Sequence, residues 1–156
     1  FASLHKLNVI FVCENNKLSV NSKISVRRTK DNLTEISSSF GIYSKRLDGN
    51  DALKVYSEVN RIREKQIKSS MPALIECDTT RLKDHIGIMN DKNYLKLVQK
   101  CPIYKLEKSL LKQKILNKDN LKKIQDSINY KIYIANKHGK KSSLPSAKNL
   151  KDYIFA

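Results

Sequence analysis

The sequence predicts an α/β fold built on a parallel sheet, with a helical C-terminal extension. Apolar runs recur at Leu7–Cys13, Ile42–Leu47 and Met71–Cys77, each ending abruptly in polar residues. Segments with helical spacing separate them, so the order is strand, helix, strand, helix, strand. Beyond residue 101 only helical stripes and a polar tail remain.

Leu7–Cys13 reads as a strand buried on both faces, the kind found in parallel sheets. Phe1–Lys6 reads as the end of a helix feeding it. Lys17–Asp31 is rich in Ser, Asn and basic residues without periodicity, which predicts a long loop of the kind that is usually functional or disordered. Leu33, Ile36, Ser37 and Phe40 have helical spacing, with Gly41 as the stop. The second strand ends in Asp48-Gly49-Asn50-Asp51, a tight turn that also offers helix caps. Leu53, Tyr56, Val59, Ile62 and Gln66 form the next helical stripe, and Val55 widens it. Pro72 lies near the start of the third strand, where proline is tolerated. Asp78–Asn93 is a second polar loop at a strand's carboxyl end. Pro102 starts a helix bearing Leu106, Leu110 and Leu111. Asp119 is expected to cap a last helix carrying Leu121, Ile124, Ile128, Ile132 and Ala135, ended by Gly139. These later stripes are core or subunit-interface positions. The tail Ser142–Ala156 ends in Tyr153, Ile154 and Phe155 and is expected to dock.

With 156 residues, 40% hydrophobic and 29% charged, the chain suits one globular domain with a real core. No apolar run approaches the roughly 20 residues of a membrane helix, and no signal-peptide pattern opens the chain. No membrane partner is expected. The 31 basic against 15 acidic residues give a net charge of +16, an excess that suits polyanions. Those residues are spread along the chain, however, and no cluster of aromatics beside Arg forms a stacking platform. This argues against a nucleic-acid-binding role. Cys13, Cys77 and Cys101 are isolated and form no C-x-x-C pair, which argues against a disulfide framework and structural zinc. A reducing, cytoplasmic compartment is expected. Neither G-x-G-x-x-G nor a P-loop occurs, so dinucleotide and P-loop readings lose their main support.

Glu14, Asn15 and Asn16 fall at the carboxyl end of the first strand, where open α/β sheets bind ligands. Their oxygens and amides are of the sort a magnesium-diphosphate site uses. An Asn-rich turn after a strand is the simpler reading of these residues alone. His85, near Arg81, Lys83, Asp84 and Asp91, is the best candidate for proton transfer, against the plain alternative of an exposed loop histidine. Arg81 can hold an anion or orient its loop.

Taken together and in order, several motifs match a known family. They are Val9-Ile10-Phe11-Val12-Cys13-Glu14-Asn15-Asn16, Phe40-Gly41-Ile42, Asp48-Gly49-Asn50-Asp51, Pro72-Ala73-Leu74-Ile75-Glu76, Thr80-Arg81, His85 and Cys101-Pro102-Ile103. The chain resembles the C-terminal portion of the alpha subunit of the first, decarboxylating component of thiamine-diphosphate-dependent 2-oxo acid dehydrogenases. Pyruvate, branched-chain and acetoin dehydrogenase complexes contain such subunits. Ser19–Ser22, Ser25–Arg28 and Asp84–Gly87 are similar to a bacterial branch often associated with surface-sugar biosynthesis.

The resemblance implies a partial thiamine-diphosphate-binding α/β domain over 1–100, with 101–156 as its helical extension. Asn15-Asn16 match the end of the family's thiamine motif, and the opening Gly-Asp-Gly is expected upstream of Phe1. Asn16 would bind magnesium through its side-chain oxygen and Leu18 through its backbone carbonyl. Glu14, Asn15, Ser19 and His85 would complete this chain's share of the cofactor site. His85 would assist proton handling and acyl transfer to lipoamide. The implied partners are the beta subunit of a heterotetramer, a lipoyl-bearing acyltransferase component and a 2-oxo acid substrate. Leu18 and Thr80 stand where the family usually has Tyr, and Ile86 where several members carry a regulatory Ser, so that phosphorylation switch is not expected. These three departures are the support for an alternative, a degenerate non-catalytic scaffold.

Overall fold

The computed structural model describes residues 1–86, 94–149 and 152. The chain divides into two compact units, Phe1–Lys112 and Gln113–Ala156. In the first, strand β1 (Ile10–Asn15) leads to a two-residue hairpin, β2 (Leu18–Ser19) with β3 (Ser22–Lys23), and a single 3-10 turn at Ile24–Val26. Helix α1 (Leu33–Ser39), strand β4 (Tyr43–Asp48), helix α2 (Ala52–Lys68) and strand β5 (Ala73–Asp78) follow. Helices α3 (Tyr94–Val98) and α4 (Pro102–Lys112) complete the unit.

The sheet runs β1-β5-β4, all parallel, with Asn15 and Asp48 both in register with Asp78. All three strands therefore end at the same level. Alternation along β5 positions both helical layers. Ala73, Ile75 and Cys77 are buried and form the core with Ile62 of α2, with Val55, Val59, Ile10 and Leu47 packed around them. Glu76 points the other way, to the first turn of α1. Gln66, buried on α2, donates to the carbonyls of Val9 and Met71 and ties that helix to the strand entries. On the α1 side, the hydroxyls of Ser37 and Ser44 lie 2.7 Å apart and join helix to β4. Asn32 and Asp51 cap α1 and α2 by accepting from Thr34 and Lys54 backbone N–H groups. Gly41 follows α1 at φ +72°, the left-handed stop expected of glycine.

The order of elements agrees with the sequence reading, and several details differ. The strand buried on both faces is β5. Strand β1 lies at the sheet edge, with Phe11 43% and Val12 60% exposed. Phe1–Lys6 forms turns, not a helix end, and the Lys17–Asp31 loop contains the small hairpin. In the second unit, α5 (Lys118–Lys141) is capped by Asn117, whose side chain accepts from the Asn120 N–H, and Asp119 sits inside the first turn. The helix runs through Gly139 and ends at Ser142, whose N–H and hydroxyl both bond the His138 carbonyl. Glycine costs a helix interior about 1 kcal/mol and does not by itself stop it. Gly87, Asp91, Tyr153, Ile154 and Phe155 lie outside the described residues.

Candidate cofactor turn at the carboxyl end of the sheet

The Asn15–Asn16 segment is a turn locked from beneath by a buried acid. Glu76 is fully buried on the central strand. Its Oε1 accepts from Asn15 Nδ2 at 2.6 Å and its Oε2 from the Leu33 N–H at 3.0 Å. Asn15 Oδ1 in turn accepts from the Lys17 N–H at 3.0 Å. Both ends of the Asn15 amide are thus used to shape the backbone, and Lys17 is held at φ +64°, a conformation that non-glycine residues rarely take. Asn16 Oδ1 accepts from the Leu18 N–H at 2.9 Å, and the Lys17 carbonyl accepts from Ile24 N–H at 2.8 Å. Asn15, Asn16, Leu18 and Ser19 therefore occupy one hydrogen-bonded turn and hairpin. Glu14 faces solvent from the opposite side of β1, in keeping with strand alternation.

Charges surround this turn without crowding it. Lys17 Nζ lies 2.8 Å from both Asp31 and Asp78. Arg46 reaches the same two carboxylates, with Nε 2.8 Å from Asp78 and Nη2 3.2 Å from Asp31. Two cations and two anions thus close the Lys17–Asp31 loop onto the ends of β4 and β5. Arg81 adds a tie by donating to the Val20 carbonyl at 2.6 Å, so it orients the loop. Hydrogen bonds from Lys17 and then Arg46 hold the Asp31 carboxyl at about 2, well below the usual range. Asp78 is lowered by Arg46 first and Lys17 second. A depressed carboxylate contributes stability that is present above its unfolded value, about 3.9, and is lost as pH falls through the folded one. Urea midpoints are therefore expected to hold from neutrality to about pH 4 and drop between about pH 4 and 2. Asp31→Asn should flatten part of that acid slope, and an unchanged slope would remove Asp31 from the linkage.

The Asp48–Asp51 turn braces the site from the β4 side. The Gly49 N–H and the Asn50 side-chain amide both donate to the Asp78 carbonyl, and Asn50 Oδ1 accepts from the Thr80 N–H. Lys105 of α4 bonds Asp48 at 3.2 Å. His85 is exposed in the segment after β5 and stands outside the hydrogen-bonded turn. Burial pushes the Cys13 and Cys77 thiols up, which makes them poor nucleophiles at neutral pH.

The turn's donors suit a small hard cation. Asn16 Oδ1 has one lone pair engaged by Leu18 and a second available by its chemistry, and the Leu18 backbone lies in the same turn. Both are neutral oxygens. Among the described residues no group of three His, Cys, Asp or Glu stands together as a metal cage, and two neutral oxygens are fewer than the six ligands magnesium takes. The sequence pointed to Asn16 and Leu18 but not to the support beneath them: Glu76, Asp31, Arg46 and Asp78. The one available signal was Glu76, an acid inside an otherwise apolar buried run.

A parallel sheet with polar turns gathered at its carboxyl ends defines an α/β domain of the open parallel-sheet class, in which ligands bind at that end. More specifically, the chain belongs to the dehydrogenase E1 component family, whose model matches residues 1–148. Three of its relatives are named as alpha subunits. It is 35% identical over 94 residues to the 2-oxoisovalerate dehydrogenase subunit alpha of Bacillus subtilis, across 60% of this chain and 28% of that protein. It is 27% identical over 159 residues to the pyruvate dehydrogenase E1 component subunit alpha of Rickettsia typhi, across 99% of this chain and 49% of that protein. Against the same subunit of Porphyra purpurea it is 29% identical over 162 residues, across 99% of this chain and 46% of that protein. The chain thus spans half or less of the length of these relatives.

Proposed function

We propose that this chain supplies one side of the thiamine diphosphate and magnesium site of a 2-oxo acid dehydrogenase alpha subunit. The observation that carries the reading is the clamp of Glu76, Asn15 and Lys17, which presents Asn16 and Leu18 together at the sheet's carboxyl end. Asn16 Oδ1 and the Leu18 carbonyl would hold magnesium, which joins the diphosphate to the protein. The ammonium of Lys17, next in sequence to both, is neutralised by Asp31 and Asp78 and so does not oppose a cation there. Bound thiamine diphosphate supplies the electron sink for decarboxylation. His85, exposed on the segment after β5, is placed by this reading to exchange protons and to meet an incoming lipoyl group. Ser19 would lie at the rim and Asn15 supports the turn from beneath, whereas Glu14, on the other face of β1, stands apart from it. The beta subunit, the acyltransferase component and the 2-oxo acid belong to the same proposal.

The test uses the full-length gene product co-expressed with its neighbouring beta-type subunit. Thiamine diphosphate is titrated calorimetrically with and without magnesium, in wild type and Asn16→Ala. Wild-type binding is expected to need magnesium, and the variant to bind about tenfold or more weakly, a loss of about 1.4 kcal/mol or more. No binding by the intact wild-type pair would overturn the cofactor reading and leave the degenerate scaffold, with Leu18, Thr80 and Ile86 as its marks.

A further inference from the structure

Helix α1 has little of its own to hold it together. It spans 7 residues and carries Thr34, Ile36 and the run Ser37-Ser38-Ser39. Isolated helices shorter than about 12–15 residues are marginal in water, and Thr, Ile and Ser are middling helix formers. The Ser37, Ser38 and Ser39 hydroxyls turn back onto the carbonyls of Leu33, Thr34 and Ile36, a local bonding that competes with the helical ladder. Ser37 is buried, but Ile36 is 47% exposed. Packing therefore holds this helix lightly.

Its start is bonded by two routes to the turn that presents Asn16 and Leu18. The Leu33 N–H donates to Glu76 Oε2, and Glu76 Oε1 accepts from the Asn15 amide. Asp31, just before the helix, lies 2.8 Å from Nζ of Lys17, the residue between Asn16 and Leu18. The two routes are unequal. Glu76 is fully buried, so its bonds are made away from water. The Asp31 side chain is 43% exposed, where an ion pair contributes little. We infer that α1 is a positioning element for the Asn15–Leu18 turn: docking of the helix start and the binding-competent shape of the turn are one cooperative event, coupled chiefly through Glu76. Coupling is reciprocal. A ligand that fixes the turn steadies α1, and a change that loosens α1 weakens the ligand. That the ligand is magnesium with thiamine diphosphate rests on the function proposed above; the coupling itself does not.

The experiment is hydrogen exchange read by mass spectrometry on the full-length product with the beta-type subunit, in wild type, Asn32→Ala and Asn32→Ser. Asn32 caps α1, and its side chain bonds Thr34 and Glu35, outside the turn. Alanine removes the cap, which shifts the helix population about fivefold, and serine restores it. Without cofactor, Asn32→Ala is expected to speed exchange about threefold or more in peptides covering 33–39 and also in those covering 15–24. The latter hold the Lys17, Leu18 and Ile24 N–H groups, whose acceptors are Asn15 Oδ1, Asn16 Oδ1 and the Lys17 carbonyl. Exchange in α2 should stay as in wild type, and Asn32→Ser should match wild type throughout. Unchanged exchange at 15–24 in Asn32→Ala overturns the inference. Faster exchange that reaches α2 overturns it too, since the whole unit would then be opening. With magnesium and thiamine diphosphate added, wild-type exchange at 33–39 should slow, and Asn32→Ala should bind the cofactor about threefold or more weakly, with Asn32→Ser restoring it. Protection at 15–24 with none at 33–39 overturns the inference and leaves the cofactor reading intact. Failure of the wild-type pair to bind cofactor overturns only the cofactor reading, because the comparison of the variants without cofactor decides the coupling by itself.

Discussion

Glu76→Ala is expected to destabilise the first unit by about 2–5 kcal/mol. The carboxylate is fully buried on the central strand and has two donors, the Asn15 amide and the Leu33 N–H at the start of α1. Truncation leaves both donors without their acceptor, each at a cost of about 1–3 kcal/mol, and opens a cavity where the side chain stood. Glu76→Gln separates the two effects. It keeps the volume and one acceptor, but sets a donor against a donor at the other position, and should cost about 1–3 kcal/mol. Urea unfolding followed by circular dichroism measures both, with a constant slope required for the comparison. A shift within about 0.5 kcal/mol for the alanine variant would mean that Glu76 behaves as a surface residue and that its bonds to Asn15 and Leu33 carry nothing. The functional consequence is separable from stability. Without Glu76, Asn15 can rotate, the Lys17 backbone loses its restraint, and Asn16 no longer has a fixed place beside Leu18.

That linkage explains why the sequence disclosed the elements more readily than the site. Alternating strand and helix signals identify a parallel α/β sheet because each signal is local: Ile62 and Gln66 fall on one face of α2 by spacing alone, and Asp51 caps it by position alone. The site depends on residues brought together from distant parts of the chain. Asn15 meets Glu76, and Lys17 and Arg46 meet Asp31 and Asp78, only after three strands have aligned in register. Nothing in the spacing of those residues announces the pairing. The misread details have local causes. The apolar run of β1 matched a doubly covered strand in composition, yet burial depends on neighbours, and β1 stands at an edge. Asn117 and Asp119 are both good caps, and only the backbone turn decides between them. Gly139 looked like a stop, but a helix ends where its hydrogen bonds end, at Ser142.

Gly49→Ala is expected to cost about 1–3 kcal/mol, for a steric reason and not a conformational one. Its φ does not lie in the left-handed region that sets Gly41 apart. A Cβ at Gly49 would stand 2.7 Å from Cys77 Cβ and 2.9 Å from Thr79 Cγ2, with the Asp78 carbonyl at 3.1 Å. Cys77 belongs to the buried core of the central strand and its Cβ cannot swing away, so either the Asp48–Asp51 turn or the end of β5 must move. In a double-mutant cycle with Cys77→Gly, which removes the nearest obstacle at a core-packing cost of its own, the two losses should sum to less than additive; additive losses would place the strain elsewhere. The displacement also reaches the cofactor turn. The Asp78 backbone accepts from Gly49 and Asn50, while its side chain holds Lys17 and Arg46. Shifting that residue loosens the clamp on the loop that presents Asn16. Gly49→Ala is therefore expected to weaken magnesium-dependent thiamine diphosphate binding in the full-length pair, though it touches none of the ligand-bearing residues. A variant that loses stability yet binds cofactor as wild type would show that the Asp78 network supports the fold and not the site.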